Sequence, residues 1–314
     1  MRTSLAMAAV VSRIGIRRFS SPRPMEAIPT PIHRAGLIAR NTDAMRALLE
    51  ILRSIFGRNR ELVFELARRE VLERYAGAAL GSIWAVLTPL LTMGIYVGLF
   101  AFVFPVRYGD SSSPWMGAAL ILSGLVPWIT LADCSTRATG LLVGHRALVR
   151  QVVFPIEALP AKTVAACLVS QLVGTVVGLG IALVAVGPSP MQLLLPALWI
   201  TQLALMLGIT LLLASLGVWL RDLREIVGFL ANIGLYVAPI ILLPSLISGL
   251  PRPARWVITA NPVSHMVWCF HDATVLHEFA HPWSWLVFPV VALAALMAGA
   301  VLFNRLKPAM GEAL

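Results

Sequence analysis

The chain has 314 residues, 58% hydrophobic and 13% charged, with a mean hydropathy of +0.83; such values exclude an ordinary soluble domain and fit a chain whose solvent is mostly lipid. Its net charge of +10 is spread unevenly, because 14 of the 25 basic residues and 7 of the 15 acidic ones precede Leu80. No basic run is interleaved with a soluble aromatic fold, so nucleic acid is excluded as a partner and anionic lipid headgroups account for the arginines.

In chain order, residues 1–59 read as a basic, disordered N-terminal extension. Its first eleven residues, followed by Arg13, Arg17 and Arg18, imitate a targeting peptide. The apolar run is short, however, and the basic residues follow it, the reverse of a secretory signal. Over 60–79, Phe64, Ala67, Val71, Tyr75 and Ala78 recur every three or four residues while charged residues fill the other faces. That spacing predicts an amphipathic helix lying on the membrane surface.

A helix needs about 20 apolar residues to cross the hydrocarbon core. Six runs meet that requirement, at 80–104, 115–135, 159–186, 192–219, 226–247 and 284–303, before a tail over 304–314. With the N-terminus inside, Arg107, Arg252 and Arg255 face outward and the other 22 of 25 basic residues lie on the inner side or at its boundary. The positive-inside bias therefore puts both termini in the cytoplasm. Cys134, Cys167 and Cys269 show no CxxC spacing, and no internal disulfide framework is expected.

Few residues offer chemistry. An ATPase needs a glycine-rich loop with a lysine around the phosphates, and the two lysines, Lys162 and Lys307, lie in no such loop. Lys162 is expected to snorkel from the start of the third run. Asp133 and Arg137, at i and i+4 near the cytoplasmic end of the second, read as a structural pair that masks its own charge. His277, Glu278 and His281 form an H-E-x-x-H pattern that on a helix could hold zinc, with Glu278 as base, giving a membrane metalloprotease. A third ligand is missing, Pro282 ends any helix at the second His, and the pattern lies in an outer loop, so a polar loop end is the expectation. Neither a catalytic nor a metal site is assigned. Pro89, Pro127 and Pro239 interrupt apolar runs that also carry Trp84, Tyr96, Phe100, Trp128 and Tyr236. These aromatics suit a path on which sugar rings stack; the alternative is interface aromatics facing lipid.

Five stretches then resemble the type 2 ABC transporter permeases that export O-antigen, capsule or teichoic-acid polymers. They are REVLERYAGAALGSIWAVLTP from Arg69, SGLVPWIT from Ser123, GHRALVRQVVFPIEALP from Gly144, RDLREIV with YVAPI from Arg221 and Tyr236, and NPVSHMVWCF from Asn261. They occur in family order over about 60–303. The resemblance implies an all-α polytopic membrane protein of the bacterial inner membrane. It has six transmembrane helices, an N-terminal amphipathic interface helix carrying Arg69, Arg74 and Tyr75, and outer re-entrant gate helices within 251–283. It further implies a homodimer with two separate ATP-binding cassette subunits. ATP and Mg would be held on those partners and no cofactor on this chain. The exported substrate would be a polysaccharide or lipid-linked glycan passing between the two copies. The segment with Gly144, His145, Arg146, Arg150, Phe154 and Pro155 would be the coupling element that enters an ATPase cleft. Two departures from the family pattern are Arg146, Arg150 and Gln151 in place of a lysine-rich stretch before Phe-Pro, and His271 where an arginine often follows the outer aromatic. A same-family exporter of a drug or lipid is the alternative within transport.

Overall fold

The computed structural model describes residues 45–103, 114–150, 154–241, 247 and 249–313. Residues 1–44 of the expected extension, the outer Arg107, residues 151–153 of the coupling segment and 242–246 of the expected fifth span lie outside them.

Helix α1 (45–52) runs into a π-helical turn, Arg53–Arg58, and α2 follows at Arg60–Glu73. The first membrane helix, α3 (Trp84–Gly98), is entered through a 3-10 turn and left through a π turn, the whole covering Gly81–Val103. Helix α4 (Pro114–Thr139) leads to two single-turn helices, α5 (Leu141–Gly144) and α6 (Arg146–Val149). Then come α7 (Ala158–Val186), α8 (Leu195–Gly217) and α9 (Leu223–Val237). The outer segment carries α10 (Arg252–Ala260) and α11 (Pro262–His271), and α12 (Ser284–Ala313) closes the chain. The described residues hold no strand: the molecule is an all-α polytopic membrane protein.

Five of these helices are long and apolar enough to cross a membrane, at Gly81–Val103, Trp115–Thr139, Ala158–Val186, Pro190–Gly217 and Ser284–Gly311. The expected fifth run appears as α9, only 15 residues and so about 22 Å long at 1.5 Å per residue. Its end has a local cause. Ala238 precedes Pro239, whose ring disfavours the helical conformation one residue earlier, and Ala238 is extended at φ −82°, ψ 152°.

Helix α4 is the centre of the fold. Of its most apolar 18-residue window 83% is buried within the protein, against 22–50% in the other four membrane helices. Buried glutamines tie its neighbours to it: Gln202 donates to the Pro127 carbonyl at 3.0 Å and accepts from Gln171 at 2.6 Å, joining α8, α4 and α7. Helices in lipid gain little from apolar contact as such and use small residues and side-chain hydrogen bonds instead. Helices α8 and α12 do this at Gly208 and Gly299, where a Cβ on Gly208 would strike the backbone of Ala295 and Leu296 and one on Gly299 the Gly208 carbonyl.

Residues 45–58 correct the expectation of a disordered extension up to residue 59. Leu48, Ile51 and Ile55 recur at three and four residues and are buried in the main core, so the segment contributes apolar burial that a disordered chain lacks. It docks at Glu157, just before α7. Ser54 donates to that carboxylate at 2.6 Å and Lys307 of α12 at 2.7 Å, while Asn304 donates to the Ala47 carbonyl at 3.3 Å.

Burial raises the pKa of Glu157, but the Lys307 and Ser54 hydrogen bonds outweigh it and hold the carboxyl below its ordinary value of 4.5. A depressed carboxylate contributes stability that is complete above the unfolded pKa and is lost as pH falls through the folded one. Protection of residues 45–58 against hydrogen exchange, taken relative to the intrinsic amide rate at each pH, should therefore be high at neutral pH and fall only below about pH 4.5. Glu157→Gln should exchange faster at neutral pH and lose that acid step; an unchanged acid step in the variant would show that another group anchors α1.

Candidate functional site

The apolar face expected of α2 runs through Phe64, Ala67, Val71, Tyr75 and Ala78. Ala67, Val71 and Tyr75 of that face are wholly or partly buried, but Phe64 is 67% exposed and Ala78 is exposed too; Val63, Leu66 and Glu70 complete the inward face, and Arg74 continues it beyond the helix end. This face packs on α7, and its polar members meet a cation there. Lys162 is buried at 6% exposure; it does not snorkel to the interface as its position suggested. Its Nζ lies 3.3 Å from Glu70 Oε2 and 2.9 Å from His145 Nε2. The Glu70 contact is an ion-pair distance without hydrogen-bond alignment. An ammonium only donates, so Nε2 of His145 must accept and its Nδ1 must carry the proton, which suits the 2.8 Å contact from Nδ1 to the Leu141 carbonyl.

His145 is also the hinge of the expected coupling element. It separates α5 from α6 at φ −110°, ψ 24°, so Gly144–Phe154 is not one helix over its described part but two single turns. Gly144, Arg146 and Arg150 are exposed around the hinge, whereas Phe154 and Pro155 are half-buried, Phe154 against the main core. One buried lysine thus fastens the interface helix to the hinge of the exposed basic loop.

Around the corner from Lys162, a cavity of about 330 Å³ opens where α3, α4 and α7 meet the turn after α2; Arg74, Tyr75, Pro89, Asp133, Arg137 and Ser170 lie on its wall. The expected Asp133–Arg137 pair is formed at 2.7 Å, with Cys167 Sγ 3.7 Å from the other carboxylate oxygen. Arg69 is exposed and lines no part of it.

The five expected aromatics do not gather on one surface within the chain. Tyr96 and Phe100 stack on each other at 6.3 Å between ring centres, and Trp84 is half-buried at the start of α3. Trp128 is buried in the core, its ring occupying the space a Cβ on Gly234 would need, and Tyr236 is 68% exposed on α9.

On the opposite side, the H-E-x-x-H segment is not helical. His277 takes the left-handed conformation at φ 59° and ends a π turn, Asp272–Leu276, so the two imidazoles do not share a helix face. His277 Nε2 lies 3.2 Å from the Gln192 amide. His281 instead serves the fully buried Asp272, which accepts from its backbone N–H at 3.0 Å, its Nδ1 at 2.8 Å and Trp285 Nε1 at 3.0 Å. Its ring stacks on Trp268 at 5.0 Å, and His265 meets Ser284 at 3.0 Å. His271 sits against Gly124 of α4, and burial pushes its pKa down to about 3. These contacts clamp α11 to the start of α12.

The Lys162 junction and the Asp272 clamp escaped the sequence reading. A signal existed for the first: one of two lysines in the chain opens an apolar run, and Glu70 stands three and seven residues along α2 from the buried Ala67 and the half-buried Val63.

The sequence pattern of the ABC-2 type transporter family matches residues 61–273, a stretch that holds Glu70, Arg74, Asp133, His145 and Lys162. The chain is 27% identical over 273 residues to the O-antigen export system permease protein RfbA of Myxococcus xanthus, covering 85% of this chain and 100% of that one. It is 25% identical to an O-antigen export system permease protein RfbA of Klebsiella pneumoniae, covering 81% and 95%. It is 24% identical to the polysialic acid transport protein KpsM of Escherichia coli, covering 82% and 98%.

Proposed function

This chain belongs to the ABC-2 type transporter family, and from that premise we propose that it is the membrane-spanning permease subunit of an ATP-driven exporter of polysaccharide, of the O-antigen, capsular or teichoic-acid kind. Similarity to O-antigen and polysialic acid export permeases over more than four-fifths of the chain supports the substrate class. Two copies form the working unit in the inner membrane with two ATP-binding cassette subunits on the cytoplasmic face, which bind the ATP and Mg. Both termini lie in the cytoplasm, in keeping with the distribution of basic residues. The outer α10 and α11 act as gate helices.

The observation that carries the mechanism is the Lys162 junction. A partner ATPase that engages the exposed loop around Gly144, Arg146 and Arg150 pushes on α6. The push reaches the His145 hinge, and Lys162 passes it on to α7 and, through Glu70, to α2. Coupling between distant sites requires an element with two arrangements, and the hinge between α5 and α6 at His145 is the element assigned that role.

Deleting residues 146–154 while keeping membrane insertion should abolish both polymer export and co-purification of the ATPase. Normal export by the deletion variant would contradict the assignment.

A further inference from the structure

The cavity beside Arg74 holds a charge that no described residue satisfies. Arg74 Nε and Nη2 are buried and donate to no acceptor among the described residues. Two of its neighbours on the wall cancel each other, since Arg137 Nε is committed to Asp133 at 2.7 Å. Arg74 therefore gives the cavity a net positive charge. Buried N–H groups left without acceptors cost free energy, and a guanidinium fork matches the oxygens of a phosphate.

Depth and lining narrow the ligand. Arg74 lies in the turn just before the membrane helix that begins at Gly81, and Arg137 lies two residues before the end of the span closing at Thr139. Both are at the same membrane end, at the level where lipid phosphates sit. Deeper along α3 and α4 the wall is mainly apolar, through Pro89, Met93, Val126 and Ile129, with the hydroxyls of Thr88, Thr92 and Thr130 set among them. A free anion would gain nothing from that part; an amphiphile with a phosphate head and a hydrocarbon chain fits both parts.

We propose that the Arg74 cavity is a phosphate-binding subsite for the carrier lipid of a lipid-linked glycan, with the diphosphate on Arg74 and the polyprenyl chain along Pro89, Met93, Val126 and Ile129. The assignment rests on the permease reading above and adds the place where the substrate's anchor is held before transport. Tyr75, the residue after Arg74, lies on the same wall.

The test is titration of the purified full-length protein in detergent with a radiolabelled long-chain polyprenyl diphosphate, competed by phosphatidylglycerol or inorganic pyrophosphate. Saturable binding is expected, with Arg74→Gln weakening it roughly ten- to a hundredfold, as for loss of a charged hydrogen bond, and Arg74→Lys restoring part of it. Ser170→Leu, which fills the cavity and leaves Arg74 in place, should also weaken it, and Arg255→Gln on the outer helix should not. Equal binding by the wild type and Arg74→Gln, or equal competition by phosphatidylglycerol or pyrophosphate, would overturn the proposal. Its failure is separable from failure of the permease reading. Full polymer export by cells carrying Arg74→Gln would sink the subsite alone, whereas full export by cells lacking the chain would sink the permease reading.

Discussion

Replacing Lys162 by methionine is expected to destabilise the protein by about 3 kcal/mol, the range for removing one partner of a buried pair. The methionine fills much of the lysine's volume, so the loss comes from charge. Glu70 remains facing α7 with its side chain 18% exposed and no cation in ion-pair contact among the described residues, and Nε2 of His145 loses its donor. The decisive comparison is the double variant Lys162→Met with Glu70→Gln. Two neutral partners leave no buried unpaired charge, so most of the lost stability should return, with a coupling energy of 0.5 kcal/mol or more in the cycle. Transport should not return with it, since the restored stability does not rebuild the link between α2 and the His145 hinge. Thermal unfolding in detergent, read beside polymer export in cells, separates the two effects. Wild-type stability in the single variant would show that Lys162 is only a spectator.

The second large effect is expected at the α8–α12 crossing. Gly208→Ala places a methyl group against the backbone of Ala295 and Leu296, and Gly299→Ala places one against the Gly208 carbonyl. Backbone cannot rotate away as a side chain can, so the helices must separate along the contact. Overpacking of a well-packed core costs about 1–3 kcal/mol and occasionally more; this geometry belongs at or above the upper end. Gly94→Ala is the control, because a Cβ there meets nothing within 4 Å and alanine is the better helix former by about 1 kcal/mol. Protein yield and thermal unfolding should fall sharply for the first two variants and hold or rise for the third. Equal behaviour of the three would mean that α8 and α12 do not cross at these glycines.

Among the described residues, five of the six expected apolar runs became membrane helices, four with both ends within four residues of those read from hydropathy and the last continuing through the expected tail to Ala313, because length and composition fix whether a segment can cross a bilayer. The Asp133–Arg137 pair was equally legible, since i,i+4 spacing brings side chains together whatever the tertiary fold. Where several elements had to meet, periodicity fell short. The face of α2 was misread by about one residue, because Phe64 is the more apolar choice while Glu70 and Arg74 are drawn inward by a lysine and a cavity supplied from elsewhere in the chain. Residues 45–58 carried the spacing of Leu48, Ile51 and Ile55, but the surrounding basic residues masked it, and the acceptor that anchors them, Glu157, is more than 100 residues away. Pro239 did announce the end of α9; the apolar run continuing past it outweighed that signal. The H-E-x-x-H segment was expected to be a polar loop end and is non-helical, with His277 left-handed; what spacing does not encode is the partner of His281, the buried Asp272.

Polymer location in cells lacking this chain tests the central assignment most directly. With the chain deleted, surface polysaccharide should disappear and completed or lipid-linked polymer should accumulate on the cytoplasmic side, and a plasmid copy should restore the surface pool. Unchanged surface polysaccharide, with no internal accumulation, would contradict the assignment of this chain as the export permease.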